Sequence, residues 1–222
     1  MLLSRSDLVD APVDWPVVSS AELAGGSITR YLRDEVRAPD GHVLTREYLQ
    51  HPGAVGILAV DDADRVALVR QYRHPVRHRL VEPPAGLLDV HGEDYLTAAQ
   101  RELAEEVGLS ARTWHVLVDL FTSPGMASET LRIYLARDLL PADAPEGFLR
   151  HGEEAEMDAV WAPLEDLVDA VLAGHVGNPN LVTGVLAAYA ARQRDGWAGL
   201  RPADASWPSR EQVTGTLGQP QR

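Results

Sequence analysis

The stretch GLLDVHGEDYLTAAQRELAEEVGL, residues 86–109, decides the fold. Its apolar residues recur at spacings of three and four, which predicts one buried stripe of a helix: Leu96, Ala99, Leu103 and Val107. Glu102, Glu105 and Glu106 also recur at these spacings, so they share a different face of the same helix. Gly108 predicts the C-terminal end of the helix.

Three carboxylates crowded on one helical face repel each other, so the arrangement is unfavourable unless a cation lies among them. Ligands that offer only oxygen suit a hard divalent ion, which predicts a site for Mg²⁺, with Mn²⁺ as the alternative. The competing interpretation is a solvated acidic face, the usual meaning of a cluster of glutamates.

The same stretch resembles the Nudix box, G-x5-E-x7-R-E-U-x-E-E-x-G-U, in which U is aliphatic. Eight positions match at the family spacing: Glu93, Arg101, Glu102, Leu103, Glu105, Glu106, Gly108 and Leu109. The leading Gly86 lies one position too early, which a one-residue insertion in the loop before the helix explains. A match of this length favours the metal site over the solvated face.

Composition limits the classes of function. The chain has 222 residues, 45% of them hydrophobic, which fits one large domain or a domain with a smaller appendage. A formal net charge of −13 argues against a general binder of nucleic acid or of anionic membranes. The absence of cysteine excludes disulfides and thiolate chemistry, and no apolar run is long enough to span a bilayer. We therefore expect a cytoplasmic protein.

The chain ahead of the box begins with a polar lead-in over residues 1–25. Residues 27–36 and 42–49 flank a Pro-Asp-Gly turn signal, which predicts a β-hairpin. Further strands are predicted at 54–60, 65–72, 80–82, 114–120, 130–136 and 159–162, with helices opening at Pro163 and spanning 181–193. Residues 138–157 are predicted as a loop.

These elements predict an α+β layered domain. The resemblance gives its specific form, an α/β/α sandwich with a mixed β-sheet between helices. We expect three parts: an N-terminal β-hairpin subdomain over 1–50, a Nudix domain over 51–196, and a flexible C-terminal tail over 197–222 that is rich in Pro, Gly, Ser and Gln.

Two further stretches resemble the Nudix hydrolases that cleave ADP-ribose. Residues 69–75, VRQYRHP, precede Glu82-Pro83-Pro84-Ala85-Gly86, and Arg binds phosphate well because its planar fork contacts two oxygens. The resemblance implies a phosphate contact at Arg73, an adenine or ribose contact at Glu82, and a metal-binding carbonyl at Ala85. The Ser-Pro-Gly loop implies four more substrate contacts: Ser123, Gly125, Met126 and Glu129.

Box residues and a distal acidic run complete the expected site. The resemblance implies metal binding by Glu102 and Glu106, and an Arg101 that pairs with Glu93 to orient carboxylates. Relatives take a base and one further metal ligand from a loop at the position of the GEEAE run, which implies Glu154 as base and Glu156 as ligand. Glu153 is the alternative base, and Glu105 is the candidate if the distal loop supplies none.

The resemblance implies a Mg²⁺-dependent hydrolase that cleaves ADP-ribose, or a related nucleoside diphosphate sugar, to AMP and ribose 5-phosphate. It also implies a homodimer that exchanges the N-terminal region. Two alternatives stay open: a Nudix hydrolase of another nucleotide diphosphate, and a sensor that binds ADP-ribose without cleaving it. The sensor is disfavoured because such proteins usually lose box carboxylates, whereas Glu102, Glu105 and Glu106 are all present.

Overall fold

A computed structural model describes residues 2–143 and 157–217 of the chain. Its strands are β1 (Val17–Gly25), β2 (Arg30–Arg37), β3 (Val43–Gln50), β4 (Ala54–Val60), β5 (Arg65–Arg73), β6 (His78–Glu82), β7 (Ala85–Leu87), β8 (Leu109–Phe121), β9 (Thr130–Pro141), β10 (Asp158–Pro163) and β11 (Arg201–Pro202). Its helices are α1 (Tyr95–Val107), α2 (Leu164–Leu172), α3 (Pro179–Asp195) and α4 (Pro208–Leu217). None of these helices combines the length and apolar character that crossing a bilayer requires.

The described residues form two compact units. The smaller unit takes its residues from 2–51, 123–128 and 207–217, and the larger one from 52–122 and 129–206. The first break between the units falls between His51 and Pro52, and the smaller unit also contains the Ser-Pro-Gly loop and the C-terminal helix. The sequence did not predict that the loop and the helix join the smaller unit, because both segments lie far along the chain from the hairpin.

The smaller unit is built on an antiparallel sheet in the order β1-β2-β3. The predicted hairpin is β2 and β3, and its turn places Gly41 at φ +88°, where glycine meets no steric penalty. The polar lead-in over residues 1–25 contains the strand β1, which the sequence did not predict. The chain at Leu49 also pairs in parallel with Ala127, so the Ser-Pro-Gly loop lies beside the end of β3.

The larger unit is a mixed sheet in the order β10-β5-β4-β9-β8-β11, with β6 paired to β5 and β7 to β4. β4 and β9 run parallel, whereas the other paired strands are antiparallel. α1 packs against β4, β5, β7 and β8, while α2 and α3 cover the other face through an apolar cluster that contains Leu58, Leu68, Leu164 and Val185. The predicted sandwich of a mixed sheet between helices is therefore confirmed.

The C-terminal stretch differs from the flexible tail that its composition predicts. β11 pairs with β8 in the larger unit, and α4 forms part of the smaller one, where Leu217 accepts a hydrogen bond from Gln50 at 2.8 Å. Residues 138–141, expected in a loop, extend β9. Pairing with distant strands stabilises segments that composition alone assigns to loop or tail.

Arg132 of β9 holds part of this C-terminal stretch. Its side chain is 1% exposed and forms two hydrogen bonds with the carboxylate of Asp119, at 2.7 and 2.9 Å. It also donates to the carbonyl oxygens of Ala205 and Ser206, at 2.7 and 2.9 Å. Burial alone would lower the pKa of Arg132, but the Asp119 carboxylate raises it, so the guanidinium stays charged. A buried charge needs all these partners, and the segment before α4 supplies two of them.

Arg132→Met removes the buried guanidinium and keeps a side chain of similar length. We expect the free energy of unfolding in urea to fall by about 3 kcal/mol, the scale for breaking a buried ion pair. Arg201 pairs with the same Asp119 carboxylate but is 45% exposed, so Arg201→Ala is the matched control and should cost less than about 1 kcal/mol. Equal losses in the two variants would contradict the assignment of Arg132 as the main support.

Candidate active site

Helix α1 presents the acidic face that the sequence predicts. Asp94 caps its N-terminus by accepting hydrogen bonds from the backbone of Leu96 and Thr97 at 2.9 and 3.3 Å. Gly108 ends it in the left-handed conformation at φ +66°. Ala99 and Leu103 of the apolar stripe are fully buried, so the opposite rotation of the helix, with the glutamates outward in water, does not occur.

Arg101 donates hydrogen bonds to three carboxylates. Its Nε and Nη2 donate to the two oxygens of Glu93, each at 3.1 Å, which confirms the pairing that the resemblance implied. Its Nη1 donates to Glu102 at 2.7 Å and to Glu105 at 3.2 Å. The hydrogen bonds to Glu93 and the charges of its neighbours raise the pKa of Arg101. Arg101 therefore remains a cation that sets the orientation of the carboxylates around it.

Glu102 lies directly against the backbone of Gly86. A methyl group at Gly86 would overlap the side chain of Glu102 from its Cγ to its carboxylate. The sequence identified Gly86 only as a displaced motif position and missed this steric role. The run of prolines and small residues from 83 to 86 was the available signal, since small residues allow close backbone approach.

Glu106 is held by β7, the short strand that also contains Gly86. Its carboxylate accepts a hydrogen bond of 3.0 Å from the backbone N–H of Ala85, and the residue is 8% exposed. The sequence expectation gave Ala85 a role through its carbonyl, whereas the N–H contact was not foreseen. No side-chain signal could reveal it, because the donor is main chain. β7 thus positions Glu102 through Gly86 and Glu106 through Ala85.

The carboxylates of the box carry an excess of negative charge. The side chains of Glu93, Glu102 and Glu105 are 13–14% exposed, and with Glu106 they outnumber the charge of Arg101. Excess buried negative charge is costly unless a cation offsets it. Among residues 2–143 and 157–217, no three Asp, Glu or His side chains are grouped so as to hold a metal ion. The expected ligand Glu156 and the expected bases Glu153 and Glu154 lie outside the described residues.

Arg73 and Glu82 form an ion pair that sequence analysis did not foresee. Arg73 Nε and Nη2 donate to the Glu82 carboxylate at 2.9 and 2.6 Å, across the adjacent strands β5 and β6. Glu82 is 1% exposed, whereas the Arg73 side chain is 41% exposed. Glu82 therefore orients the guanidinium of Arg73, which keeps a surface that faces solvent.

The remaining predicted substrate residues divide between the two units. Ser123, Gly125 and Met126 belong to the smaller unit, where Met126 is 58% exposed and its carbonyl accepts a hydrogen bond from Leu49. Glu129 belongs to the larger unit and accepts a hydrogen bond of 2.5 Å from the hydroxyl of Thr122. That bond joins the two ends of the Ser-Pro-Gly loop.

Comparisons with known proteins identify the family of this chain. A model of the NUDIX domain family matches residues 50–182, which is more than half of the chain. The chain belongs to the Nudix family. A crystal structure of an ADP compounds hydrolase superposes with a TM-score of 0.69 at 22% sequence identity, covering 85% of this chain and 99% of that one, and it supports the Nudix fold alone.

Several curated relatives are more similar to this chain in sequence. An ADP-ribose pyrophosphatase of Mycobacterium tuberculosis is 46% identical over 197 residues, 89% of this chain and 93% of the relative. A methanol dehydrogenase activator of Bacillus methanolicus is 31% identical over 69% of this chain and 81% of its own length. An ADP-ribose pyrophosphatase of Bacillus subtilis is 36% identical over 55% of this chain and 65% of its own length.

Gly86→Ala should displace Glu102, because the added methyl group and the carboxylate cannot occupy the same space. We expect the affinity for Mn²⁺, measured by electron paramagnetic resonance, to fall by about tenfold or more, the scale for disturbing the support of a metal ligand. Gly177→Ala is the matched control, since a Cβ at Gly177 meets no atom within 4 Å. Unchanged Mn²⁺ affinity in Gly86→Ala would show that Glu102 does not bind the ion.

Proposed function

We propose that this protein hydrolyses the diphosphate bond of ADP-ribose, or of a related nucleoside diphosphate sugar, and releases AMP and ribose 5-phosphate. The observation that carries the proposal is the complete acidic cluster of the box, with Glu102 and Glu106 held by β7 and Arg101 tying the carboxylates together. The 46% identity to an ADP-ribose pyrophosphatase along nearly its whole length supports the same substrate.

The proposed cofactor is Mg²⁺, with Mn²⁺ as a possible substitute. Glu102, Glu106, the carbonyl of Ala85 and Glu156 would hold it, and when bound it supplies positive charge that offsets the repulsion between a diphosphate and an incoming nucleophile. Arg101 holds Glu102 and Glu105 in place while Glu93 fixes Arg101 from the other side. The protein thus orients the ligands before substrate arrives.

We propose that Arg73 binds a phosphate oxygen of the substrate. Its ion pair with the buried Glu82 restricts the guanidinium, so less conformational freedom is lost when phosphate binds. In this proposal Glu82 acts first by fixing Arg73, and an adenine or ribose contact would be a second role. Ser123, Gly125, Met126 and Glu129 remain proposed substrate contacts.

We assign proton removal from the attacking water to Glu154 and keep Glu153 and Glu105 as alternatives. Glu105 accepts a hydrogen bond from Arg101 Nη1 at 3.2 Å, so one of its carboxylate oxygens already has a partner. This favours a base from the distal acidic run over one from α1.

Two other functions remain as candidates. A Nudix hydrolase of a different nucleotide diphosphate would keep the same carboxylates and change the residues that recognise the base or sugar. A sensor that binds ADP-ribose without cleaving it is disfavoured because Glu102, Glu105 and Glu106 are retained beside Arg101.

Product analysis tests the activity directly. The purified chain is incubated with Mg²⁺ and a panel of diphosphate nucleotides, and the products are separated by chromatography. We expect AMP and ribose 5-phosphate from ADP-ribose at the highest kcat/KM in the panel. Glu106→Gln, which keeps shape and removes one charge, should lower kcat by about 100-fold or more, the scale for loss of an electrostatic catalytic group. Faster cleavage of another nucleotide would overturn the proposed substrate, and binding without products would favour the sensor.

The roles of the distal carboxylates can be separated kinetically. Glu154→Gln should lower kcat strongly with little change in KM or in the Mg²⁺ requirement, and higher pH should restore part of the rate because hydroxide replaces the base. Glu156→Gln should instead raise the Mg²⁺ concentration at half-maximal rate. If Glu153→Gln carries the loss of kcat, the base is Glu153. If neither Glu153→Gln nor Glu154→Gln lowers kcat, Glu105 becomes the candidate base.

We propose that the protein is a homodimer that exchanges its N-terminal region, and that it acts in the cytoplasm without nucleic acid or membrane partners. All nine residues of β1 are exposed in the single chain, including Val17, Val18 and Leu23, which supports a second copy covering this strand. Light scattering should give twice the chain mass. A fully active monomer at micromolar concentration would contradict the dimer.

A further inference from the structure

Strand β5 presents alternate side chains to opposite faces of the sheet. Arg70 lies on the reverse face, which carries the apolar cluster under α2 and α3, and there it and Arg79 pair with Asp158. Gln71 and Arg73 lie on the other face, against which α1 packs. Gln71 thus shares its face of the sheet with the arginine that is proposed to bind phosphate.

The ion pair of Arg73 and Glu82 crosses above Gln71. In the ladder between β5 and β6, Gln71 is aligned with Leu80, and this pair lies between the positions of Arg73 and Glu82 on the same face. Arg73 Nη2 and Glu82 Oε2 nevertheless meet at 2.6 Å. The two charged side chains therefore reach along the strands over Gln71, which explains why Gln71 is only 7% exposed.

The amide of Gln71 forms no hydrogen bond with any residue among 2–143 and 157–217. A buried amide without a partner costs free energy, because the water that it gives up is not replaced. Gln50 shows the usual arrangement, since it is 5% exposed and donates to the carbonyl oxygen of Leu217 at 2.8 Å. An amide that is buried at such a cost indicates a partner that binds to the protein.

Gln71 lies close to the site that the box builds. Glu82, whose side chain covers it, is followed three residues later by Ala85, whose N–H holds Glu106. Three residues of extended chain span about 10 Å at most. Arg73 is two residues from Gln71 on the same face, which is about 7 Å along the strand. A diphosphate bound by Arg73 would therefore bring the sugars attached to it near Gln71.

The chemistry of the amide selects the kind of group that would bind it. An amide has an acceptor oxygen and two donor hydrogens, so its best partner both donates and accepts. The ionised oxygens of a diphosphate only accept, whereas a ribose hydroxyl does both. In a nucleoside diphosphate sugar such as ADP-ribose, each ribose is bonded directly to a phosphate.

We propose that Gln71 is a substrate-binding residue whose amide hydrogen-bonds a ribose hydroxyl beside the diphosphate. The proposal rests on the proposed function, which supplies the diphosphate at Arg73. The free protein bears the cost of the unpartnered amide, and the substrate removes that cost when it binds. Gln71 therefore favours binding of a sugar hydroxyl at the expense of stability.

The test measures binding and stability of the full chain. Titration calorimetry in EDTA gives the Kd for ADP-ribose without turnover. Gln71→Met keeps a side chain of similar size and removes the amide, and we expect it to raise this Kd about tenfold, or about 1.4 kcal/mol, the scale of one hydrogen bond. The urea midpoint of unfolding should rise, because an apolar side chain replaces a buried amide that has no partner.

Two smaller ligands identify the ribose. A loss of affinity in Gln71→Met for AMP, with no change for ribose 5-phosphate, assigns the hydroxyl to the adenosine ribose, and the reverse result assigns it to the terminal ribose. One deoxy analogue of the affected ligand should then bind the parent chain and Gln71→Met equally, because both changes remove the same interaction. If no deoxy analogue does so, the amide contacts another group and the proposal is overturned.

Two other glutamines provide matched controls. Gln50→Met removes a buried amide that is bonded to Leu217, so the urea midpoint should fall. Gln193 is exposed on α3, and Gln193→Met should change neither the midpoint nor the Kd for ADP-ribose.

A fall in the midpoint of Gln71→Met that matches the fall in Gln50→Met would overturn the proposal, since the amide would then have a partner in the free chain. An unchanged Kd for ADP-ribose in Gln71→Met would also overturn it. If the parent chain binds ADP-ribose without cleaving it in Mg²⁺, the proposed function fails instead, while the comparison of affinities still decides the role of Gln71.

Discussion

The close approach of helix α1 to strand β7 is the constraint on which the site depends. Glu102 fits only because Gly86 has no side chain, and Glu106 is fixed by the main-chain N–H of Ala85. The helix cannot lie this near the sheet without the apolar stripe around Leu103, which buries its other side. Packing of α1 on the sheet therefore places the carboxylates of Glu102 and Glu106 in a partly buried position, where they repel each other. Other groups of the site must offset that repulsion.

Arg101 and the neighbouring ion pairs limit that repulsion. Arg101 contacts Glu93, Glu102 and Glu105 together, so its planar fork serves as a common partner for groups on the helix and in the loop before it. Arg73 and Glu82 form a second ion pair, on β5 and β6. There the buried carboxylate of Glu82 orients the half-exposed guanidinium of Arg73. Each pair leaves a specific charge oriented before any ligand binds.

Local signals predicted the helix that carries the box, its end at Gly108, and the hairpin of β2 and β3, because spacing and turn chemistry act within a few residues. They did not predict β1, β7, β11 or α4. β1 pairs with the next strand along the chain, β2, but its polar composition predicted only a lead-in. The other segments depend on partners far along the chain: β7 pairs with β4, and Arg132 binds the carbonyls of Ala205 and Ser206 before α4. Composition carries no information about such partners.

Motif spacing on a helix determined, from the sequence alone, which carboxylates of the box share a face. The resemblance carried by the same motif implied the family and the mixed-sheet sandwich. Only the tertiary structure decided how those residues are held. It paired Arg73 with Glu82, placed Glu102 on Gly86, and set Asp158 between Arg70 and Arg79 on the reverse face of the sheet. The reason is physical: a side chain's partner depends on strand register and on the approach of backbones, and neither is encoded within a local window.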